Sequence, residues 1–222
     1  MIYLCIMIRH ILFDLDNTLY PKSNLMDKKI TERMFLFIAD FLKISFDEAR
    51  ILQRQHRTSY GTTLEWLETE HGLIDREAYF AAVHPPSELQ ELTPDPQLRA
   101  FLQSLDMPLS ILTNAPMAHA ERVLRFFNIY DLFIGIFDIT YHNGAGKPQP
   151  DCFLNTLHAV HKTVEETLFL DDYPVYVKAY KALGGQAVLI DEPRKYTHFY
   201  TETGIHSIGS IYELPDILKS LS

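Results

Sequence analysis

Two aspartates at the end of an apolar run are the residues of this sequence with the clearest chemical potential. Asp14 and Asp16 follow residues 11–13, which are typical of a buried strand, and Thr18 comes two positions later. Positions i and i+2 of a strand project to the same face, so both carboxylates can reach one small volume. Two like charges at so short a distance repel each other unless a cation or a proton lies between them. We interpret Asp14 as a nucleophile and Asp16 as a proton donor and acceptor beside a metal ion, against the alternative of a strand ending in a solvated turn.

Three further polar groups lie just past a predicted strand or at the start of the helix that follows it. They are Thr113 with Asn114, Lys147, and Asp171 with Asp172. In an open parallel sheet, ligands bind at the carboxyl ends of the strands, near the point where the strand order reverses. Each group alone also fits a helix cap, a loop lysine or a solvated turn. Because all of them come from distant segments and share one position in the pattern, together they indicate a single site.

The residue types predict complementary roles in phosphoryl transfer. Thr113, Asn114 and the backbone amides after them precede a helix, and a helix N-terminus suits phosphate oxygens. Lys147 would bind the transferring phosphoryl group, stabilise its charge and offset the carboxylates. Asp171 and Asp172 supply the hard oxygen ligands that Mg²⁺ prefers. The pattern therefore predicts Mg²⁺ as the cofactor and a small phosphorylated metabolite as the substrate.

The elements that must position these groups alternate between strands and helices after about residue 93. Continuous apolar runs predict strands at 8–15, 109–112, 133–139, 167–170 and 186–190. Helical spacing predicts helices ending near 105 and at 117–126, 151–161 and 175–183. Between the first two strands the chain is helical throughout, with helices predicted at 27–42, 45–56, 62–71 and 75–82. This order predicts an α/β fold with a doubly wound parallel sheet. The core would comprise residues 1–20 and 93–222, and an α-helical cap would comprise residues 21–92.

The four motifs, in this order, resemble those of the haloacid dehalogenase superfamily. The motifs are Asp-Leu-Asp-Asn-Thr at 14–18, Thr-Asn at 113–114, Gly-Lys-Pro at 146–148 and Asp-Asp at 171–172. A helical insertion directly after the first motif is similar to the subfamily with an α-helical cap. The resemblance spans nearly the whole chain and implies a core of the Rossmann type.

The same resemblance implies roles for individual residues. Asp14 would form a phosphoaspartyl intermediate, and Asp16 would be the general acid and base. Mg²⁺ would be bound by the Asp14 carboxylate, the Asp16 backbone carbonyl and an acidic residue of the fourth motif. Alignment on that motif indicates Asp172 as the direct ligand, with Asp171 either a second direct ligand or a residue behind it.

A narrower resemblance, to pyrimidine 5′-nucleotidases, rests on three segments: 14–21, 60–64 and 92–99. It implies a pyrimidine nucleoside 5′-monophosphate such as UMP as substrate. Arg57, Tyr60 and the pair Thr62–Thr63 lie between two predicted helices, where a loop could reach the site. Stacking of Tyr60 on a base would contribute about 1–3 kcal/mol. A purely structural role in ending a helix fits Tyr60 equally well, whereas Trp66 is expected to pack inside the cap.

Composition limits the kinds of partner and the compartment. The chain has 222 residues, 47% of them hydrophobic, and a net charge of −9, which argues against binding of a nucleic-acid polymer. Cys5 and Cys152 form neither a metal motif nor a disulfide framework, so we expect a cytoplasmic protein. The apolar residues 1–8 are too short to span a bilayer, and we expect the true start at Met7. Monomer and homodimer both remain open.

Several other functions share part of this pattern. Phosphatases of sugar phosphates and phosphomutases use the same core, whereas the metal-free dehalogenases lack an aspartate at the position of Asp16. A phosphoacceptor signalling module also combines an Asp, a Thr, a Lys and an acidic pair. There, however, the acidic pair precedes the phosphoacceptor, whereas Asp171 and Asp172 come last here. A binding protein without activity is disfavoured, because every expected catalytic position is filled.

Overall fold

A computed structural model describes residues 7–56 and 59–221, and its central feature is a six-stranded parallel sheet. The strands are β1 (His10–Phe13), β2 (Leu109–Leu112), β3 (Phe133–Phe137), β4 (Thr167–Asp171), β5 (Gln186–Ile190) and β6 (His206–Ile208). Their spatial order is β3-β2-β1-β4-β5-β6. The chain therefore builds the sheet outward from β1 in one direction and then, from β4, in the other. This confirms the doubly wound α/β fold and places the reversal of strand order between β1 and β4.

Helices cover both faces of the sheet and fill the interval between β1 and β2. They are α1 (Leu25–Leu42), α2 (Phe46–His56), α3 (Thr63–His71), α4 (Arg76–Val83), α5 (Leu98–Ser104), α6 (Met117–Phe126), α7 (Pro150–Ala159), α8 (Pro174–Ala182), α9 (Phe199–Thr203) and α10 (Leu214–Leu221). Short 3-10 helices lie at Pro86–Glu91, Tyr130–Leu132 and Ile211–Glu213. None of these described helices is both long and apolar enough to cross a membrane.

Two hydrophobic clusters hold the sheet between its helical layers. Ile11 and Phe13 of β1 belong to one cluster, and Leu12 belongs to the other. This alternation follows from the pleat, which directs successive side chains to opposite faces. All three side chains are fully buried. The strand that precedes Asp14 is therefore fixed by packing on both sides.

Helices α1–α4 share a third hydrophobic cluster, to which Ile139 after β3 also belongs. It includes Ile38 of α1, Trp66 and Leu67 of α3 and Val83 of α4. A capping box begins α2: Ser45 N donates to Glu48 Oε2 at 2.8 Å, and Glu48 N donates to Ser45 Oγ at 3.3 Å. The division into a core of 1–20 and 93–222 and a cap of 21–92 remains our proposal, which this separate cluster supports.

The structure differs from the sequence predictions at short elements and at strand ends. β6 and the helices α9 and α10 were not predicted, since a strand of three residues is too short to show a period. β3 ends at Phe137 rather than at 139, because the Asp138 carboxylate accepts hydrogen bonds from Met117 N and Tyr141 N, both at 2.9 Å, and turns the chain. β1 is also shorter than predicted at both ends. Residues 1–6, including Cys5, and the loop residue Arg57 lie outside the described residues.

Candidate active site

A buried lysine joins two of the predicted carboxylates. Lys147 Nζ lies 2.6 Å from Asp14 Oδ1 and 2.6 Å from Asp171 Oδ2. The Lys147 side chain is only 1% exposed. Burial lowers the pKa of Lys147, but the two carboxylates raise it by more, so that the net pKa lies well above its ordinary value. The ammonium is therefore a permanent positive charge between residues that follow β1 and end β4.

Asn114 fixes the backbone that carries this lysine. Its Oδ1 accepts from Lys147 N at 2.8 Å, and its Nδ2 donates to Lys147 O at 2.9 Å and to Tyr176 Oη at 3.2 Å. Gly146 allows this approach, because a Cβ there would lie 2.2 Å from Asn114 Oδ1. Both amide hydrogens of Asn114 are thus used within the protein. The side chain positions Lys147, and its predicted contact with substrate stays a prediction.

Thr18 and Thr113 flank the Asp14 carboxylate at the ends of β1 and β2. Thr18 Oγ1 donates to Asp14 Oδ2 at 3.0 Å, so protein donors contact both oxygens of Asp14. Thr113 is 1% exposed and lines the same cavity as Asp14, and its hydroxyl accepts from Ala115 N at 3.0 Å. The Thr113 hydroxyl hydrogen has no acceptor among the described residues, so it is available to an oxygen of a substrate. That Thr113 binds substrate stays a prediction.

Asp172 offers the freest carboxylate of the acidic set. Carboxylate oxygens of Asp14, Asp171 and Asp172 lie within 4.8 Å of one another. Asp171 uses one oxygen for Lys147 and accepts from Tyr173 N at 2.8 Å with the other. Within the described part of the chain, Asp172 makes only longer contacts, at 3.3 Å to Asn17 Nδ2 and 3.4 Å to Lys22 Nζ, both through Oδ2.

This donor set fits Mg²⁺. Burial, followed by the charge of Asp14, raises the pKa of Asp172 to about 6. Burial also raises the pKa of Asp14 and of Asp171. Hard carboxylate oxygens held close together at a buried position are the donors that Mg²⁺ selects, and a divalent cation would relieve their repulsion. Asp172 Oδ1 accepts no hydrogen bond from the described residues, which supports the prediction that Asp172 is the direct ligand. For Asp171 the sequence left two positions open, and its hydrogen bonds to Lys147 and Tyr173 N favour the one behind Asp172.

Asp16 occupies a different environment from Asp14. Its Oδ1 accepts from His119 Nε2 at 2.8 Å and from the Tyr20 hydroxyl in a very short hydrogen bond. Burial raises the pKa of Asp16, but the charge and hydrogen bond of His119 outweigh it, and the net pKa lies below its ordinary value. In the absence of substrate Asp16 is therefore ionised, whereas the sequence led us to expect a proton on it before the first transfer step.

His119 and the residues around it were not predicted from the sequence. His119 lies on α6 one turn before Val123, so it falls on the buried face of that helix. A histidine on an apolar face, on the helix that directly follows the Thr113–Asn114 motif, is the signal that could have revealed it. Glu88 and His84 lie against His119, and Arg122 pairs with Glu88. The missed Tyr176 lines the cavity and bonds Asn114.

A cavity of about 450 Å³ lies between the motif residues Asp14, Lys147 and Asp172 on one side and the helices α1–α4 on the other. It is lined on the core side by the motif residues and on the helical side by Tyr60, Trp66 and other aromatic and aliphatic side chains. Tyr60 is partly exposed and donates its hydroxyl to Glu70 Oε1 at 2.6 Å. Trp66, 2% exposed, packs inside the helical cluster as predicted. The next residue after Tyr60, Gly61, accepts from Tyr176 Oη at 3.2 Å through its carbonyl.

Solved structures with the same fold cover nearly the whole chain. A HAD phosphatase from Thermococcus onnurineus superposes with a TM-score of 0.67 and 22% identity, over 95% of this chain and 98% of that one. L-2-haloacid dehalogenase from Xanthobacter autotrophicus gives a TM-score of 0.59 and 17% identity, over 97% of this chain and 100% of that one. At these identities the likeness establishes the fold alone.

Two curated proteins are similar in sequence. Phosphate metabolism protein 8 of Saccharomyces cerevisiae is 28% identical over 93% of this chain and 70% of its own length. Glyceraldehyde 3-phosphate phosphatase of Methanocaldococcus jannaschii is 28% identical over 97% of this chain and 99% of its own length. A family model described as haloacid dehalogenase-like hydrolase matches residues 8–184. Because this match covers well over half of the chain and contains all four motifs, the protein belongs to the haloacid dehalogenase-like hydrolases.

Proposed function

We propose that this hydrolase is a Mg²⁺-dependent phosphomonoesterase that works through a phosphoaspartyl intermediate on Asp14. The observation that carries the proposal is the buried Asp14 carboxylate, held by Lys147 Nζ at 2.6 Å and by Thr18 Oγ1 at 3.0 Å at the base of the cavity. A phosphoryl group that reaches Asp14 also meets the Lys147 ammonium, which would stabilise the charge of the transition state. The name of the Methanocaldococcus relative, a phosphatase, points the same way.

In the first step an Asp14 oxygen forms a bond to phosphorus while the bond from phosphorus to the leaving oxygen breaks. Asp16 gives a proton to that oxygen. The phosphate dianion brings negative charge beside Asp16 and so raises the pKa of this carboxyl from its low value in the free site. In the second step water attacks phosphorus, its proton passes to Asp16, and the bond to Asp14 breaks to release inorganic phosphate.

Asp14, Asp172 and the backbone carbonyl of Asp16 would hold the Mg²⁺. When bound, the ion would offset the negative charges of the carboxylates and of the phosphate. Asp171 keeps its two hydrogen bonds, with Lys147 and Tyr173 N, and so holds the ammonium in place.

We propose pyrimidine nucleoside 5′-monophosphates as the substrates. The volume of the cavity is in the range of small-molecule sites. Residues 59–83 contribute several aromatic rings to the described wall of the cavity, and Tyr60 is the one among them that is only partly buried. An exposed aromatic face suits stacking on a base. A small sugar phosphate is the second candidate, favoured by the glyceraldehyde 3-phosphate phosphatase among the relatives.

Replacement of the nucleophile tests the reaction. Asp14→Asn removes the group that forms the acyl phosphate, so we expect phosphate release to fall by more than about 100-fold. Burial disfavours the charge at Asp14, so the variant should keep the far-UV circular dichroism spectrum of the wild type. Asp151→Asn, at an exposed carboxylate of α7, is the matched control. A rate for Asp14→Asn above about a hundredth of wild type would contradict the proposal.

A substrate panel with a paired variant tests the specificity. We expect kcat/KM for UMP and CMP to exceed that for AMP, GMP and glyceraldehyde 3-phosphate. Tyr60→Ala should raise KM for UMP while leaving hydrolysis of p-nitrophenyl phosphate unchanged, because that substrate has no base to position. Equal rates for purine and pyrimidine nucleotides, or higher rates for sugar phosphates, would overturn the nucleotide proposal and leave the phosphatase proposal standing.

A further inference from the structure

A buried imidazole links the acid and base of the site to a second carboxylate. His119 is fully buried and donates through Nε2 to Asp16 Oδ1 at 2.8 Å. On the opposite side, its Nδ1 lies 3.0 Å from Glu88 Oε1, an ion-pair distance without hydrogen-bond alignment. Glu88 is also fully buried. The row Asp16–His119–Glu88 therefore alternates in charge through the protein interior when the imidazole is protonated.

Glu88 is itself held from two sides. Arg122, one turn after His119 on α6, donates to Glu88 Oε1 at 2.6 Å from Nη2 and 3.1 Å from Nε. His84 Nδ1 lies 3.2 Å from Glu88 Oε2. Arg122 Nη2 also donates to the carbonyl of His84 at 2.8 Å. The segment from His84 to Glu88, where the chain leaves α4, is thus fastened to α6 by Arg122, one turn from the histidine that contacts Asp16.

This arrangement leaves one defined oxygen of Asp16 for chemistry. Both His119 Nε2 and the Tyr20 hydroxyl approach Oδ1. Oδ2 accepts no hydrogen bond from any residue the structure describes, and Asp16 lines the cavity. A carboxyl bound by two donors through one oxygen cannot rotate freely about its terminal torsion, which is otherwise broad. The other oxygen is then fixed in direction.

We infer that His119, supported by Glu88, is a positioning residue that directs Asp16 Oδ2 toward the leaving oxygen of the substrate. The inference rests on the proposed function, because it needs Asp16 to be the acid and base. A misplacement of about 1 Å in a catalytic group can cost about 100-fold in rate, and an imidazole removed from a buried carboxylate leaves room for that movement.

A competing use of the same cluster is a metal site. One ligand atom from each of His84, Glu88 and His119 lies within 4.8 Å of the others. Two observations favour the positioning role. The Arg122 guanidinium already donates to Glu88 Oε1, and its positive charge would repel a divalent cation there. His119 Nε2 is already bonded to Asp16 Oδ1. Binding of Zn²⁺ is therefore an outcome to test.

The experiment measures single-turnover bursts with two leaving groups. An alkyl phosphate needs a proton on its leaving oxygen, whereas the nitrophenolate of p-nitrophenyl phosphate leaves without one. His119→Ala should lower the burst rate about 100-fold for the alkyl phosphate and less than about 3-fold for p-nitrophenyl phosphate, with KM unchanged. His119→Gln keeps a donor and should recover at least about 10-fold of the lost rate. Glu88→Gln should show the same selectivity with a smaller loss.

His10→Gln is the matched control. His10 is also fully buried, but it lies at the opposite end of β1 and bonds the hydroxyls of Thr167 and Ser110. We expect its burst rates to equal those of the wild type for both leaving groups.

The outcomes separate the inference from the proposed function. Equal losses for both leaving groups in His119→Ala, beside a selective loss in Asp16→Ala, would overturn the inference alone. No selectivity in Asp16→Ala would overturn the acid role of Asp16 and the inference with it. Stoichiometric Zn²⁺ bound by the wild type and lost in both His119→Ala and His84→Ala would assign the cluster to a metal and also overturn the inference.

Discussion

Removal of the Lys147 ammonium should lower the free energy of unfolding as well as the rate of the reaction. Lys147→Met keeps most of the side-chain volume but leaves the carboxylates of Asp14 and Asp171 without the cation that lies 2.6 Å from each. Both carboxylates are buried. Loss of one partner from a buried ion pair costs about 3–5 kcal/mol, because the remaining charge is uncompensated. At a urea dependence of about 2–3 kcal/mol/M, the unfolding midpoint should fall by about 1.5 M.

A double-mutant cycle shows whether this loss comes from the charges. Asp14→Asn removes one of the uncompensated carboxylates, so the double variant with Lys147→Met should be more stable than the sum of the two single losses, by about 1–3 kcal/mol. The assay is unfolding in urea, monitored by circular dichroism. The buffer contains EDTA, so that no metal ion can take the place of the ammonium. Lys219→Met, at a surface pair with Asp216, should change stability by less than about 0.5 kcal/mol. Additivity within about 0.5 kcal/mol would refute the reasoning.

Two further predictions concern the metal and the response to pH. Asp172→Ala should raise the Mg²⁺ concentration for half-maximal phosphate release at least about 10-fold, and EDTA should abolish the activity of the wild type; full activity in chelated samples would exclude the Mg²⁺ mechanism. Burial, followed by the charge of Lys162, lowers the pKa of His10 from 6.5 to about 4. The unfolded chain therefore binds a proton here at a higher pH than the folded one, so stability is full above pH 6.5 and falls by roughly 3 kcal/mol as the pH drops toward 4. In His10→Gln this part of the fall should be absent from urea-unfolding curves measured across that range, and curves of unchanged shape would contradict the assignment.

The strands of the sheet could be predicted from the sequence because three of them carry two signals, a continuous apolar run and a polar motif at its end. Strands β1, β2 and β4 are apolar on both faces and end on polar motifs, so their positions and their shared edge could be inferred together. β6 gave no such signal, since it has three residues and two of them are only partly buried. Its place in the sheet depends on pairing with β5, a long-range contact that no local pattern contains.

The candidate site shows the same division between local and non-local information. The motifs predicted that Asp14, Lys147 and Asp171 meet, because each sits at a strand end or before a helix. In the structure the Lys147 ammonium lies 2.6 Å from an oxygen of each aspartate. The contact of His119 with Glu88 could not be predicted in this way. It joins a helix of the core to a 3-10 turn beside α4, and which face of that turn packs on α6 is decided by tertiary packing.

The central place of β1 has a consequence for how the protein is made. β1 pairs on one side with β2 and on the other with β4, and the bond from His10 to Thr167 spans 157 positions of the chain. At a synthesis rate of about 5–20 residues per second, roughly 8 to 30 s pass between translation of the two strands. Meanwhile α1–α4 can form from local contacts, which close faster than distant ones. The strand that leads into the nucleophile therefore leaves the ribosome well before its second neighbour, and one of its edges stays unpaired until about 150 intervening residues have been made.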